Sequence, residues 1–352
     1  MHGLSVVICC HNGSTRLPAT LKHLKTQKSS SVPWELLVID NASSDDTAEV
    51  AESLWQNGPV PLRVISEPRL GVRYARERGL REAKFEFLGF VDDDNWLAPD
   101  WVRTAHQIIS SDKHLGAVGS IRKPAFEVPP PSWFQSFHFL YAILTEQEFS
   151  QLHEPLELPT AGLCVRKIAW TRLVQNGFHF QLTGTMGKKL EGGEDAELTM
   201  ALRLSGWKLL IDPRLRLEHF MPRHRLQWSY LRILIRNYSA SRVILDAYTA
   251  HSFSVASGAR RRISESWLYQ LGKALGRIAS QPGAVIASVS SVGEGRNDIA
   301  EVEQQFGRVI GLLRLRGRYG AVRRELKLAP WRYTNRTRDE LGHGLHNILS
   351  KT

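Results

Sequence analysis

The sequence predicts an α/β fold: a Rossmann-like, mostly parallel sheet flanked by helices, followed by a helical C-terminal region. Three observations predict it. Short apolar runs alternate with helix-like segments through the first 120 residues, the pattern of strand–helix–strand units. Polar and acidic residues stand directly after several of those runs, at the carboxyl ends of strands where such sheets bind ligands. From about Gln227 onward the apolar spacing becomes helical and the charge turns basic.

The elements follow in order. Leu4 to Cys10 reads as a buried strand, and Ser14 to about Gln27 as a helix. Glu35 to Ile39 is a second strand, after which Ser43, Ser44 and Asp45 cap a helix running to about Gln56. Leu62 to Ile65 is a third strand and Gly71 to Ala83 a helix. Phe85 to Val91 is a fourth strand, with Pro99 opening the next helix as an N1 proline. Leu115 to Ile121 is a fifth strand, Pro124 to Pro131 a loop, and Leu158 to Val165 another strand. Gly192-Gly193 precedes a helix from Glu194 to Leu204, and Lys208 to Ile211 is a short further strand. Beyond it, Trp267, Leu268, Leu271, Ala274, Leu275 and Ile278 share one helical face, and Val302, Phe306, Val309, Ile310 and Leu313 another. Such stripes pack as core or lie on a lipid surface. The expected division is a catalytic domain over 1–226, in halves 1–120 and 121–226, and a basic helical region over 227–352.

The 352 residues, 42% hydrophobic and 23% charged, suit an ordered globular protein. The net charge of +11 is uneven: 22 basic against 9 acidic residues from Met221 on, and 24 against 26 before it. That asymmetry points to an anionic partner for the back half. A nucleic acid would explain the basic tail but not the acidic clusters in the front half, so an anionic membrane surface is expected. The three cysteines, Cys9, Cys10 and Cys164, have neither zinc nor disulfide spacing and fit a reducing compartment. Leu4 to Cys10 is too short for a signal peptide, and no run reaches the roughly 20 apolar residues of a spanning helix. The expectation is a cytoplasmic protein, peripheral on the inner face of the membrane.

Three clusters carry chemistry. Asp92-Asp93-Asp94 closes a buried strand, where like charges repel unless neutralised. A divalent cation, manganese or magnesium, would do so together with substrate phosphates; alternatively Asp94 or Asn95 caps the following helix. Glu194-Asp195 opens a helix, favoured there by the helix dipole alone, or placed to take a proton from an acceptor hydroxyl. His219 is either structural or a nitrogen ligand to the same metal, and Arg223 and Arg225 suit phosphate geometry.

With these residues in view, the chain resembles family 2 glycosyltransferases, which have the GT-A fold. The carrying segments are SVVICCHN, VIDNASSDDT, EPRLGVRYARERG, VDDDNWLAP and GGEDAEL, spread over about residues 3 to 226. The resemblance implies a DxD pair in Asp92 and Asp94, with the metal on Asp94 and the donor ribose or sugar at Asp93. It implies that Cys9 and His11 meet the nucleotide, Asp40 and Asn41 read its base, and Gly71 and Arg73 pack against it. Ala161-Gly162 would line the donor sugar. Asp195, beside Glu194, would be the catalytic base of an inverting transfer from a nucleotide sugar, a UDP-sugar, to a glycan or lipid-linked acceptor. Arg225-Leu226-Gln227-Trp228 does not match the QxxRW motif of processive synthases, which favours transfer of one sugar. The place after the first strand holds Cys-Cys-His-Asn-Gly rather than the Gly-rich basic loop of a nucleotidyltransferase. A glycoside hydrolase suits neither the alternating sheet nor that loop. The non-enzymatic alternative is a silent adaptor that keeps the fold, against which the intact Asp92, Asp94 and Asp195 weigh.

Overall fold

The computed structural model describes the chain apart from residues 30, 150–154, 156, 185–190, 250–264, 291–292 and 333–352. Eight strands form one sheet: β1 (Leu4–Cys10), β2 (Trp34–Asp40), β3 (Leu62–Ser66), β4 (Phe87–Asp92), β5 (Asn95–Leu97), β6 (Leu115–Phe126), β7 (Leu163–Arg166) and β8 (Lys208–Met221). Their spatial order is β3-β2-β1-β4-β7-β6-β8-β5. The first four positions are parallel, β7 runs against both neighbours, β6 and β8 are parallel, and β5 returns antiparallel on β8.

Helices α1 (Leu17–Lys25) and α4 (Trp101–Ser111) cover one face; α3 (Val72–Glu82), α5 (Lys167–Gln175) and α6 (Glu194–Leu204) cover the other, while α2 (Thr47–Leu54) packs beside β2 and β3. Burial on both faces explains why β1, β2 and β4 are largely apolar runs. The core helices are amphipathic: Leu17, Leu21 and Leu24 of α1 turn inward, and α4 buries Trp101, Ala105 and Ile108.

The differences from expectation cluster on one side. β8 has fourteen residues where a short strand ending at Ile211 is expected. Its outer half carries polar residues on alternate positions, so no continuous apolar run marks it. Pro124 to Phe126, expected in a loop, pair with His219 to Met221. β5 pairs Asn95 with His219, so Asn95 is a ladder residue and caps no helix; α4 starts at Trp101, with Asp100 before it. Only Leu163–Arg166 of the expected 158–165 strand is extended; ahead of it, the Leu158 N–H is held by the Thr199 hydroxyl at 2.9 Å.

The C-terminal helices are α7 (Trp228–Thr249), α8 (Trp267–Ala279), α9 (Pro282–Ser290), α10 (Asn297–Arg314) and α11 (Tyr319–Leu328). They share a core with the sheet and its helices. Leu245, Tyr248, Val322, Leu326 and Trp331 belong to the same buried cluster as Phe90, Trp170 and Leu198. The stripe on α10 is largely packed: Val302 is 1% exposed, with only Leu313 at 50%. On α8, Ala274 is buried while Leu268 and Leu275 stand 73% and 48% exposed.

Candidate functional site

The carboxyl ends of β1, β2 and β4 converge with the start of α6 and the outer half of β8. Alternation along β1 sends Cys10 and Cys9 to opposite faces. Cys10 is buried against Asp93, donating to Oδ2 at 3.1 Å. Cys9 faces Arg76 and Asp92, and burial pushes its thiol up to about 12, so it stays protonated. His11 Nδ1 donates to the Asn41 carbonyl at 2.8 Å, joining the first loop to the end of β2.

Asn41, expected to read a base, is used by the protein itself. Its amide nitrogen donates to the carbonyls of Glu67 (3.1 Å) and Arg69 (2.7 Å), and its oxygen accepts the Gly71 N–H at 2.8 Å. The side chain is 3% exposed and brackets the turn into α3. Gly71 has φ of 137° there, which favours glycine. Asp40 accepts the Ser43 N–H at 3.3 Å and is half-buried beside this turn. Arg73 reaches the other way: Nη1 donates to the Phe180 carbonyl at 3.3 Å, ahead of α6.

The three consecutive carboxylates have three different surroundings. Asp92 points at Arg76, and burial raises it to about 6 against the pull of that guanidinium. Asp93, expected at the donor ribose or sugar, instead turns back to the first loop. Arg16 Nε and Nη2 donate to its two oxygens at 3.1 and 2.7 Å, and it is 8% exposed. It ties β4 to the start of α1. Asp94 is 3% exposed. Its Oδ1 lies 3.4 Å from His219 Nε2, and Arg225 Nη1 stands 2.9 Å from Oδ2. Against the push of burial, the charges of Arg225 and His219 hold it well below the usual carboxylate range. Asn95 fixes the turn, accepting the Asp92 N–H and donating to Asp94 Oδ1, both at 3.1 Å.

His219 comes to Asp94 because β8 runs on to Met221 and pairs its residue 219 with Asn95. Its Nδ1 donates to the Tyr141 carbonyl at 3.1 Å, which leaves Nε2 facing Asp94. That is how a metal-binding imidazole is usually oriented. Among the described residues, no three His, Cys, Asp or Glu side chains already converge on one point; Arg225 stands at Asp94. Arg225 therefore joins the cluster, whereas Arg223 is exposed and only its backbone N–H is engaged, by Glu127 at 2.7 Å.

At the start of α6, Gly193 has φ of 110° and Glu194 is 5% exposed. Arg76 Nη1 donates to Glu194 Oε1 at 2.6 Å, while Oε2 has no hydrogen-bond partner among the described residues. Burial raises Glu194, opposed by Arg76. Glu194 is thus committed to an internal ion pair, and Asp195 is the half-open carboxylate beside it. Arg122, buried in β6, has Asp195 as its acidic neighbour and is lowered by burial to about 10.

Arg76, Arg16 and Arg122 are the participants that sequence reasoning missed. A signal existed for Arg76. It lies four residues before Leu80 and beside Ala75, so helical spacing places it on the inward face of α3. Arg16 and Arg122 have no such mark, since their partners are distant in sequence.

Residues 5–171 match the family model for glycosyl transferase family 2. The succinoglycan biosynthesis protein ExoM of Rhizobium meliloti is 22% identical over 222 residues, 61% of this chain and 67% of that one. Glycosyltransferase GlyA of Streptococcus pneumoniae is 24% identical over 214 residues, 59% of this chain but only 29% of GlyA. Two Bacillus subtilis glycosyltransferases are covered to 28% and 34% of their length, so the chain spans about a third of several curated relatives. Among solved structures, the mannosyltransferase PcManGT from Pyrobaculum calidifontis, in complex with GDP-Man and Mn2+, superposes with TM-score 0.55 at 15% identity. That match covers 88% of this chain and 86% of the other. Its fold is GT-A, as here. Residues 5–171 are thus similar in sequence to the family 2 glycosyltransferases, and the chain shares the GT-A fold of the mannosyltransferase.

Proposed function

We propose that the protein transfers one sugar from a nucleoside diphosphate sugar, a UDP-sugar, to a hydroxyl of a glycan or lipid-linked acceptor, with inversion at the sugar carbon. The observation that carries this reading is the pairing of two acidic ends. Asp92 and Asp94 close β4, and Glu194-Asp195 opens α6, with Arg76 between them on Glu194 and Asp92. One end suits a diphosphate and its cation; the other suits an acceptor hydroxyl.

The donor set fits manganese or magnesium. Asp94 offers carboxylate oxygen and His219 an oriented nitrogen 3.4 Å away, with Asp92 beside them. When bound, the cation would neutralise charge developing on the leaving diphosphate. The chain's own residues do the rest. Arg225, one guanidinium away from Asp94, supplies a forked donor to phosphate oxygens. Asp195 accepts the proton of the attacking hydroxyl as the bond to the sugar forms. Arg76 fixes Glu194, and so the direction in which Asp195 points. Cys9, His11, Asp40 and the Gly71 turn form the wall against the nucleotide.

The place of action is proposed as the cytoplasmic face of an anionic membrane, in polysaccharide or glycoconjugate synthesis. ExoM's name and the basic back half support this. No helix among the described residues is long and apolar enough to cross a membrane.

The test is thermal unfolding with a panel of nucleoside diphosphates, with and without manganese, because a ligand of the native state raises its apparent stability. UDP with manganese should give the largest shift. Asp94→Ala should abolish the manganese-dependent part while the protein stays folded. Unchanged manganese-dependent UDP affinity in that variant, measured by calorimetry, would remove the metal from the reading.

A further inference from the structure

A second basic site lies outside the catalytic cluster, in the groove between α8 and α10. The two helices run in contact, with Ala274 of α8 buried at 2% exposure. Beside that contact is a cleft of about 220 Å³. Gln270, Lys273 and Arg277 of α8 line one wall, and Gln304, Gln305 and Arg308 of α10 the other. Each wall repeats at helical spacing, so the six polar ends face one another across successive turns.

Three features of this cleft call for an anion. Its lining holds three cations and no carboxylate. The acid that pairs with Arg308, Asp246, is shared: Arg308 reaches it at 3.0 Å and Arg242 at 3.7 Å. Among the described residues, Lys273 and Arg277 pair with no carboxylate, so the cleft stays positive. Gln305, only 6% exposed, borders the cleft with its carboxamide. Crowding of like charges costs free energy. One ligand with several acceptor oxygens relieves it and can be met by the carboxamide as well.

We propose that this cleft binds a phosphate group, either a phospholipid headgroup at a membrane surface or a soluble phosphate. Donors outnumber acceptors in the lining, with an ammonium, two guanidinium forks and glutamine amides. Four tetrahedral oxygens satisfy more of them than a planar carboxylate does. The cleft, at about 220 Å³, admits a phosphate with a small ester group. The proposal does not rest on sugar transfer, since no residue of the cleft belongs to the catalytic cluster.

The full chain tests it in two arms. In the soluble arm, inorganic phosphate should raise the unfolding temperature above that in chloride of equal ionic strength. In the membrane arm, vesicles of phosphatidylglycerol in phosphatidylcholine are compared with phosphatidylcholine alone. Lys273→Glu with Arg277→Glu should abolish the phosphate effect and weaken binding to the anionic vesicles by at least about tenfold. Arg316→Glu with Arg318→Glu, an equal charge change outside the cleft, should do much less. Gln305→Leu, which alters no charge, should also diminish the phosphate effect. A response in the soluble arm alone identifies a soluble phosphate as the ligand; a response in both identifies the headgroup. If the phosphate effect survives reversal of Lys273 and Arg277, or both charge-reversed variants lose binding equally, the basic charge acts diffusely and the cleft is no site.

Discussion

Consecutive carboxylates need not share a role: Asp92 ends β4, while Asp93 and Asp94 form the turn into β5, and the turn aims each side chain elsewhere. Asp93 goes back to Arg16 and the first loop, whereas Asp92 and Asp94 stay with the open side of the sheet. The same division separates Glu194, locked to Arg76, from Asp195 beside it. Asp195→Asn should therefore keep donor binding and lower transfer by about 10²–10⁴-fold, the scale of losing a general base. Single-turnover rates and UDP titration of the same variant check it. A loss of donor affinity matching the loss of rate would make Asp195 structural.

At the scale of elements, the C-terminal helices are part of the catalytic unit's support. Gly307 and Gly311 let α10 lie directly on α7: an added Cβ would stand 2.2 Å from the Arg236 carbonyl oxygen and 2.4 Å from that of Ala240. Glu303, fully buried, takes Arg232 at 2.6 Å and Arg236 at 2.5 Å across the same contact. Backbone cannot retreat as a side-chain tip can. Gly307→Val should cost at least about 2 kcal/mol, read as a lowered urea midpoint; an unchanged midpoint would mean that the helices separate without loss. Removing everything after Ser264 would take α8 to α11 away from this contact, so membrane attachment is better probed by surface substitutions in the intact chain.

At the scale of the whole molecule, buried acids give the fold a pH dependence. Glu197 is fully buried, accepts the N–H groups of Gln181 and Leu182 and the Tyr248 hydroxyl, and is raised by burial from 4.5 to about 7. A carboxyl raised in the folded state binds its proton more tightly there than when unfolded. Its contribution is intact below about 4.5 and is lost as the pH rises through about 7. Asp92, raised to about 6, acts in the same direction. Metal-free protein should be less stable at pH 7.5 than at pH 5, by on the order of 1–3 kcal/mol. Glu197→Gln should flatten that slope, and denaturant titrations at several pH values will show whether it does.

The surface makes a second whole-molecule prediction. Leu268, Leu275, Ile286 and Val289 are 73%, 48%, 69% and 80% exposed on α8 and α9, within the basic half. The intact protein should sediment with anionic vesicles at low salt, less at high salt, and poorly with neutral ones. Leu268→Ser with Leu275→Ser should weaken that binding. If the intact protein ignores anionic vesicles at low salt, this face serves a protein contact instead.

The sequence by itself determined the order of the first four strands' segments, the helices between them, and the acidic ends of β4 and α6. These are legible because burial on both faces writes largely apolar runs, and because repelling carboxylates stand out in them. It also marked the amphipathic faces of α8 and α10. Only the tertiary structure decided what those residues meet. Asn41 brackets the Gly71 turn, Asp93 closes on Arg16, and Arg76 joins Glu194 across 118 positions of chain. It alone decided that β8 continues to Met221 and brings His219 to Asp94, and that α10 rests on α7 rather than lying free. The physical reason is the same in each case: periodicity records whether a side chain turns inward, but its partner is set by strand pairing and helix packing between segments far apart in the chain.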